Sequence, residues 1–214
     1  MNVSQTALCN AALDLVPAST IISMNEQSYP AEVCRRQWPF ALAELLERGN
    51  WTRLQKRVSM AVIANDRPCE WGVAYQAPID LGSPIRVMPP QDATAAQDYL
   101  QVGQTAAYPN ETQPGQGVPY VLSGSTIYAN IGDGVLEYIP DDAATSLFTP
   151  LFNQALYTIL ASKLVMPLTK DRNRRLELSQ EATLRIDQAL ASSGNLSGIT
   201  YGNDIPPIIR EMLS

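Results

Sequence analysis

The side chains able to do chemistry in this chain are few, and the gaps among them matter as much as their positions. There is no His anywhere in the 214 residues, which removes Ser-His-Asp and Cys-His catalysis, His general bases and His metal ligands together. What remains is mainly carboxylates. Glu137, Asp141 and Asp142 lie close in sequence, and Asp80 ends a predicted strand. Two carboxylates flanking a glycosidic bond are what glycoside hydrolysis requires. Sequence does not set their separation, and neighbouring acids after a strand usually form a turn. The three cysteines, Cys9, Cys34 and Cys69, are widely spaced in apolar surroundings and fit no zinc pattern, so they are expected to be reduced and buried. Gly132-x-Gly134 is a turn, since no Gly-Lys-Ser/Thr follows it. Trp38, Trp51, Trp71 and Tyr75 would suit a carbohydrate platform, but at helical or strand spacing they read as core. No cofactor is expected.

The composition bounds the rest. An apolar fraction of 45% permits a buried core, while charged residues make up only 17%, below the roughly 25% of typical soluble domains. Surfaces so poor in charge often face other subunits. A net charge of -6 gives little long-range attraction for nucleic acid phosphates. The first residues have neither a basic region nor an apolar signal core, and no apolar run approaches the ~20 residues of a membrane span. The chain is therefore expected to be made in a cytoplasm, with no membrane partner.

The elements that must position these groups follow from periodicity. Ser4 caps a helix through Val16, with Leu8, Ala11, Ala12 and Leu15 as its buried face. A second helix starts after Ser28, with Pro30 in its first turn and an apolar stripe of Cys34, Trp38, Ala41, Leu42, Leu45 and Leu46. The stripe keeps phase across Pro39, so one helix, kinked there, is predicted, ending at Gly49. Period-two alternation then predicts a strand over 71–77 with its aromatics on one face, a second over 83–88, and a three-stranded meander from Tyr120 to Ile139. Residues 89–119 form a long polar loop with a short helix over Ala93–Leu100. This loop either stays in solvent or makes a contact finger anchored by Tyr99, Leu100 and Tyr108.

Thr149-Pro150 opens another helix, with Leu151, Phe152, Ala155, Leu156, Ile159 and Leu160 inward and Pro167 as its stop. Thr169 caps the last helix, whose apolar face is Leu178, Ala182, Ile186, Ala189 and Leu190, and Gly194 ends it. Lys170, Arg172, Arg174 and Arg175 crowd its first turn, against the helix dipole. They are either a solvated face or a docking patch for a neighbour's carboxylates. Ser192–Asn195 reads as a flexible link, followed by an apolar tail carrying Ile205, Ile208, Ile209 and Met212. That tail either folds back on its own core or acts as an arm.

The expected architecture is α+β. A helical body made from 1–50 and 148–192 packs on a small antiparallel β lobe from 51–147, and an arm occupies 193–214.

The order of segments carries a resemblance. The Trp38-Pro39 step, Leu45-Leu46 before Trp51 and Arg57, Trp71-Gly-Val-Ala-Tyr-Gln-Ala-Pro78-Ile-Asp80, Leu136-Glu-Tyr138, and Phe148-Thr-Pro150 running into Phe152, Ala155-Leu156, Leu160-Ala161 and Leu168-Thr169 together resemble the tail tubular protein A family of short-tailed bacteriophages. The likeness spans about residues 3 to 190. It leaves out the Pro- and Gln-rich stretch and the C-terminal tail. The most distinctive part is the aromatic strand ending Ala-Pro-Ile-Asp, followed at a distance by the Phe-containing helix. The resemblance implies a virion-borne head-to-tail adaptor, forming a ring of typically twelve subunits between the portal protein and the tail nozzle protein, and the absent His and unpaired carboxylates favour a chain that is not an enzyme. Double-stranded DNA would pass through it without specific binding. The other candidate is a virion-associated glycan hydrolase using the paired carboxylates.

Overall fold

A computed structural model describes residues 3–89 and 117–195. The predicted short helix over Ala93–Leu100 lies outside the described residues.

Helix α1 (Gln5–Asp14) starts as expected, with the Ser4 hydroxyl accepting from the Ala7 amide at 3.2 Å. Its buried face is Leu8, Cys9, Ala12 and Leu13, turned from the predicted Leu8, Ala11, Ala12, Leu15. The cause is a flanking pair of neighbours: α1 packs on a later, central helix, while Cys9 meets Cys34 of α2. Helix α2 (Tyr29–Glu47) is capped by Ser28 and continues through Pro39 as one helix. All six residues of its predicted stripe are buried. The Trp51 indole donates to the Leu45 carbonyl at 2.9 Å and satisfies the last turn.

Seven strands follow among the described residues: β1 (Lys56–Ser59), β2 (Val62–Ile63), β3 (Val73–Gln76), β4 (Leu81–Met88), β5 (Tyr120–Ser123), β6 (Thr126–Ala129) and β7 (Val135–Pro140). They form two antiparallel sheets, β1-β7-β4 and β2-β3-β6-β5. The β5–β6 hairpin is as predicted, with Gly124 at φ +60 in its turn.

The predicted meander is not formed, because β7 leaves β6 and becomes the centre of the other sheet. Five of its six residues are buried. A strand covered on both faces needs partners on both edges, and β1 and β4 supply them. The turn that redirects it is held by Tyr75, whose hydroxyl donates to the Ile131 carbonyl and accepts from the Gly134 amide. Strand β3 is shorter than predicted. Ala74 and Tyr75 are both buried, and Trp71 lies outside the strand and is half-buried.

Helix α3 (Pro150–Thr169) begins at the predicted Thr149 cap. Pro167 does not stop it. The helix passes through that residue and ends at Lys170 in the left-handed region, φ 57. The Thr169 hydroxyl and the Lys170 amide both donate to the Val165 carbonyl, at 3.0 and 3.1 Å, and tie the last turn together. Thr169 is thus not the cap of the next helix. Asp171 is, accepting from the Asn173 and Arg174 amides at 3.0 Å each. Helix α4 (Arg172–Asn195) buries Leu178, Ala182, Ile186 and Ala189 as predicted, with Leu190 half-buried. It does not stop at Gly194, and Ser192–Asn195 is its last turn rather than a link. Buried Ser193 is bonded twice to Thr52, through its hydroxyl and its carbonyl, at 3.1 Å each.

Helix α3 is apolar nearly all round because α1, α2 and α4 all pack on it. These helices, with Trp51, Leu54 and Phe148, enclose one core. Tyr75, Val87, Ile127 and Leu136 anchor a second, inside the β lobe. Strand β7 joins the two, with Leu136 and Tyr138 in the lobe core and Ile139 in the helical core. The α+β class, with helices from the chain's two ends on an antiparallel lobe from its middle, is the one expected.

Candidate functional site

Two of the four carboxylates, Glu137 and Asp80, are engaged by cations and by a phenol. Glu137 on β7 is 2% exposed. The register of the three-stranded sheet puts Arg57 of β1 and Arg86 of β4 on either side of it. Arg57 Nη2 lies 3.4 Å from one carboxylate oxygen, and Arg86 Nε donates to the other. A general acid needs room for substrate. Glu137 instead sits between two guanidiniums inside a sheet.

Asp80 accepts from Lys56 Nζ at 2.7 Å and from the Tyr138 hydroxyl at 2.7 Å. The Lys56 contact, then the Tyr138 one, hold the Asp80 carboxyl below its usual range, and the Lys56 ammonium is raised in return. Burial, then Asp80, pushes the Tyr138 phenol up to about 12. Asp141 and Asp142 are exposed in the turn after β7.

The cationic group at the start of α4 divides. Lys170, Arg172 and Arg175 are exposed. Arg174 is half-buried, and its Nε and Nη2 donate to the Leu15 carbonyl at 3.4 and 3.3 Å, while Nη1 meets Glu177 at 3.1 Å. It therefore places positive charge on the carbonyl end of α1, where the helix dipole favours it, and Asp171 offsets the unfavourable end of α4. Sequence reasoning missed both partners. The Asp171 cap was readable as an Asp before a helical run, whereas the Leu15 contact spans 159 positions.

Three of the four aromatics are core, and the fourth, Trp71, is half-buried. Trp38, Trp51 and Tyr75 are buried. Trp51 meets Phe152 edge-on with ring centroids 4.8 Å apart, and Phe148 lies 4.4 Å from Phe152. Beside them is a cavity of about 10 Å³ lined by Trp51, Leu54, Phe148 and Phe152 among others, about the smallest that admits one water. Cys9 and Cys34 are buried as expected, with their thiols in contact, and the Cys34 contact together with burial raises Cys9. Cys69 departs from the expectation and is exposed, in the loop before β3. Among the described residues no group of three or more Cys, Asp or Glu is placed to hold a metal ion, and no helix is long and apolar enough to cross a membrane.

The feature that sequence reasoning did not single out is the set of large apolar side chains facing water. Ile22 is 93% exposed, Ile79 105%, and Phe40, Leu176 and Leu184 61 to 64%. They lie on the α1–α2 connection, the β3–β4 turn, α2 and α4. Of the remaining predicted contact residues, Tyr99, Leu100 and Tyr108, and Ile205, Ile208, Ile209 and Met212, lie outside the described residues. No family model and no curated protein matches the chain.

Proposed function

We propose that this chain is a head-to-tail adaptor subunit of a short-tailed bacteriophage, of the tail tubular protein A kind. It assembles as a ring, typically of twelve copies, between the portal protein and the tail nozzle protein. The observation that carries the reading is the distribution of exposed apolar side chains. Single exposed aliphatics are ordinary on a monomer. Here Ile22, Phe40, Ile79, Leu176 and Leu184 are spread over the α1–α2 connection, α2, the β3–β4 turn and α4, which suits a subunit contacted by neighbours at more than one place. The low charge content and net charge of -6 suit a wall past which DNA slides without binding. The exposed cations Lys170, Arg172 and Arg175 serve as a docking patch for acidic groups of a neighbour or of the portal. The tail beyond Asn195, with Ile205, Ile208, Ile209 and Met212, serves as the arm, and Tyr99, Leu100 and Tyr108 as the contact to the nozzle or a neighbour.

The engagement of Glu137 and Asp80 by Arg57, Arg86, Lys56 and Tyr138 favours a structural role over glycan hydrolysis. Native mass measurement of the chain mixed with the portal of the same phage tests the reading. A closed ring seated on the portal is expected. A chain that stays monomeric at every ratio, or one that degrades host surface glycans, defeats it.

A further inference from the structure

Cys9 of α1 and Cys34 of α2 bring two nucleophiles together inside the helical core. Both are free thiols and both are fully buried. They stand on the inward faces of two different helices, with one S–H hydrogen-bonded to the other sulfur. Ala12, one turn on from Cys9, and Ala31, one turn before Cys34, are fully buried as well. Side chains this small put little bulk between neighbouring helices. Thiols already in contact have only to lose their hydrogens to bond, whereas cysteines whose backbones stand apart cannot be bridged without movement. The third cysteine, Cys69, is exposed in the loop before β3.

We propose that Cys9 and Cys34 form a reversible disulfide when the chain meets hydrogen peroxide, a covalent tie of α1 to α2. One thiol takes an oxygen from the peroxide, becomes a sulfenic acid and releases a water. The second sulfur attacks the sulfenic sulfur, so the S–S bond forms, the S–O bond breaks and a second water leaves. The two thiols give up two electrons, and the peroxide is reduced to two waters. Helix α1 has ten residues, too few to hold as a helix by itself. Non-covalent contacts keep it in place. It packs on α3, and the Asn10 side chain donates to the Ile21 carbonyl at 2.9 Å and accepts from the Ile21 amide at 2.8 Å. Arg174 holds its end at the Leu15 carbonyl. Transient release of such an element is the motion that admits peroxide to a buried pair. The bond then closes the α1–α2 connection into a loop, which opposes that release and restricts the unfolded chain. The pairing does not depend on the chain's being an adaptor.

Peptide mapping of the full-length chain tests the bond. The reduced chain is treated with hydrogen peroxide in native buffer until exposed Cys69 is consumed, and for several hours more. It is then denatured, alkylated with iodoacetamide and cut with trypsin. No Lys or Arg precedes Arg35, so one peptide, residues 1–35, carries both Cys9 and Cys34. That peptide is expected to take up two alkyl groups before peroxide, none after it, and two again when dithiothreitol precedes alkylation. The peroxide-treated chain is expected to melt at least several degrees higher than the same chain returned to dithiothreitol, with slower deuterium exchange at the α1 amides. Two alkyl groups after peroxide overturn the pair, as does a loss that dithiothreitol does not reverse, or Cys69 as the main disulfide partner of either residue. A linked pair with unchanged melting and exchange overturns the tie of α1. Cys9→Ala and Cys34→Ala, each with one thiol left in the core, are expected to show no such difference in melting, and a difference of the same size in either also overturns it. If either variant fails to fold, the peptide map of the unsubstituted chain decides.

Discussion

At the scale of single residues, two of the four carboxylates that suggested chemistry, Glu137 and Asp80, are held by cations and a phenol. Glu137 is 2% exposed, and removing it takes away a carboxylate that two guanidiniums share. Glu137→Ala is expected to lower stability by about 2–3 kcal/mol, read from urea unfolding. Arg57→Ala should cost less than about 1 kcal/mol, because that side chain is already 48% exposed. Asp80 gives a pH signature. Its folded pKa is depressed, so its contribution is present above the ordinary carboxylate value of ~3.9 and is lost as pH falls through the folded value. Lys56 and Tyr138 are raised, so theirs is present below their ordinary values of ~10 and is lost as pH rises, for Tyr138 through about 12. Asp80→Asn is expected to flatten both limbs of the curve of unfolding midpoint against pH. A mutant curve parallel to the wild type would show that the Lys56–Asp80–Tyr138 contacts do not contribute.

At the scale of elements, the junction of α3 and α4 holds one of the two non-glycine residues with positive φ among the described residues. Lys170 occupies the left-handed region, where a side chain is strained and glycine is not. Lys170→Gly is expected to raise stability by about 0.5–1 kcal/mol in thermal unfolding, even as it removes a cation from the proposed docking patch. The same junction shows which element boundaries were legible. Ser4 and Thr149 cap their helices as read from sequence, and Ser28 caps the helix read to start after it, because an N-cap is a local bond from a side chain to an amide two or three residues on. Pro167 and Gly194 were misread as stops. A proline removes one backbone hydrogen bond, and the packing of α3 against three helices outweighs that loss.

At the scale of the molecule, the exposed cations and the exposed apolar side chains face outward from a body whose cores are already closed. Reversing Arg172 and Arg175 to Glu, while leaving Arg174 on the Leu15 carbonyl, is expected to abolish portal docking with a melting temperature no lower than wild type, since acidic side chains in the first turn suit the helix dipole. Docking at wild-type affinity would assign those residues to a solvated face. Arg174→Glu should instead lower the melting temperature, since its guanidinium closes the end of α1.

Local sequence was enough to define the helices, three of their caps, the inward stripes of α2 and α4 and the β5–β6 hairpin, because each is set by residues within a few positions of one another. The α+β class followed from their order. It took the assembled chain to settle that β7 abandons the meander for β1 and β4, that Glu137 lies between Arg57 and Arg86, and that Arg174 serves α1. Those outcomes depend on groups brought together from as far as 159 positions apart, and no local pattern encodes such a pairing. The carboxylates show the difference most plainly. Their spacing along the chain offered acid–base chemistry, whereas the fold set Glu137 beside two guanidiniums and Asp80 beside an ammonium and a phenol.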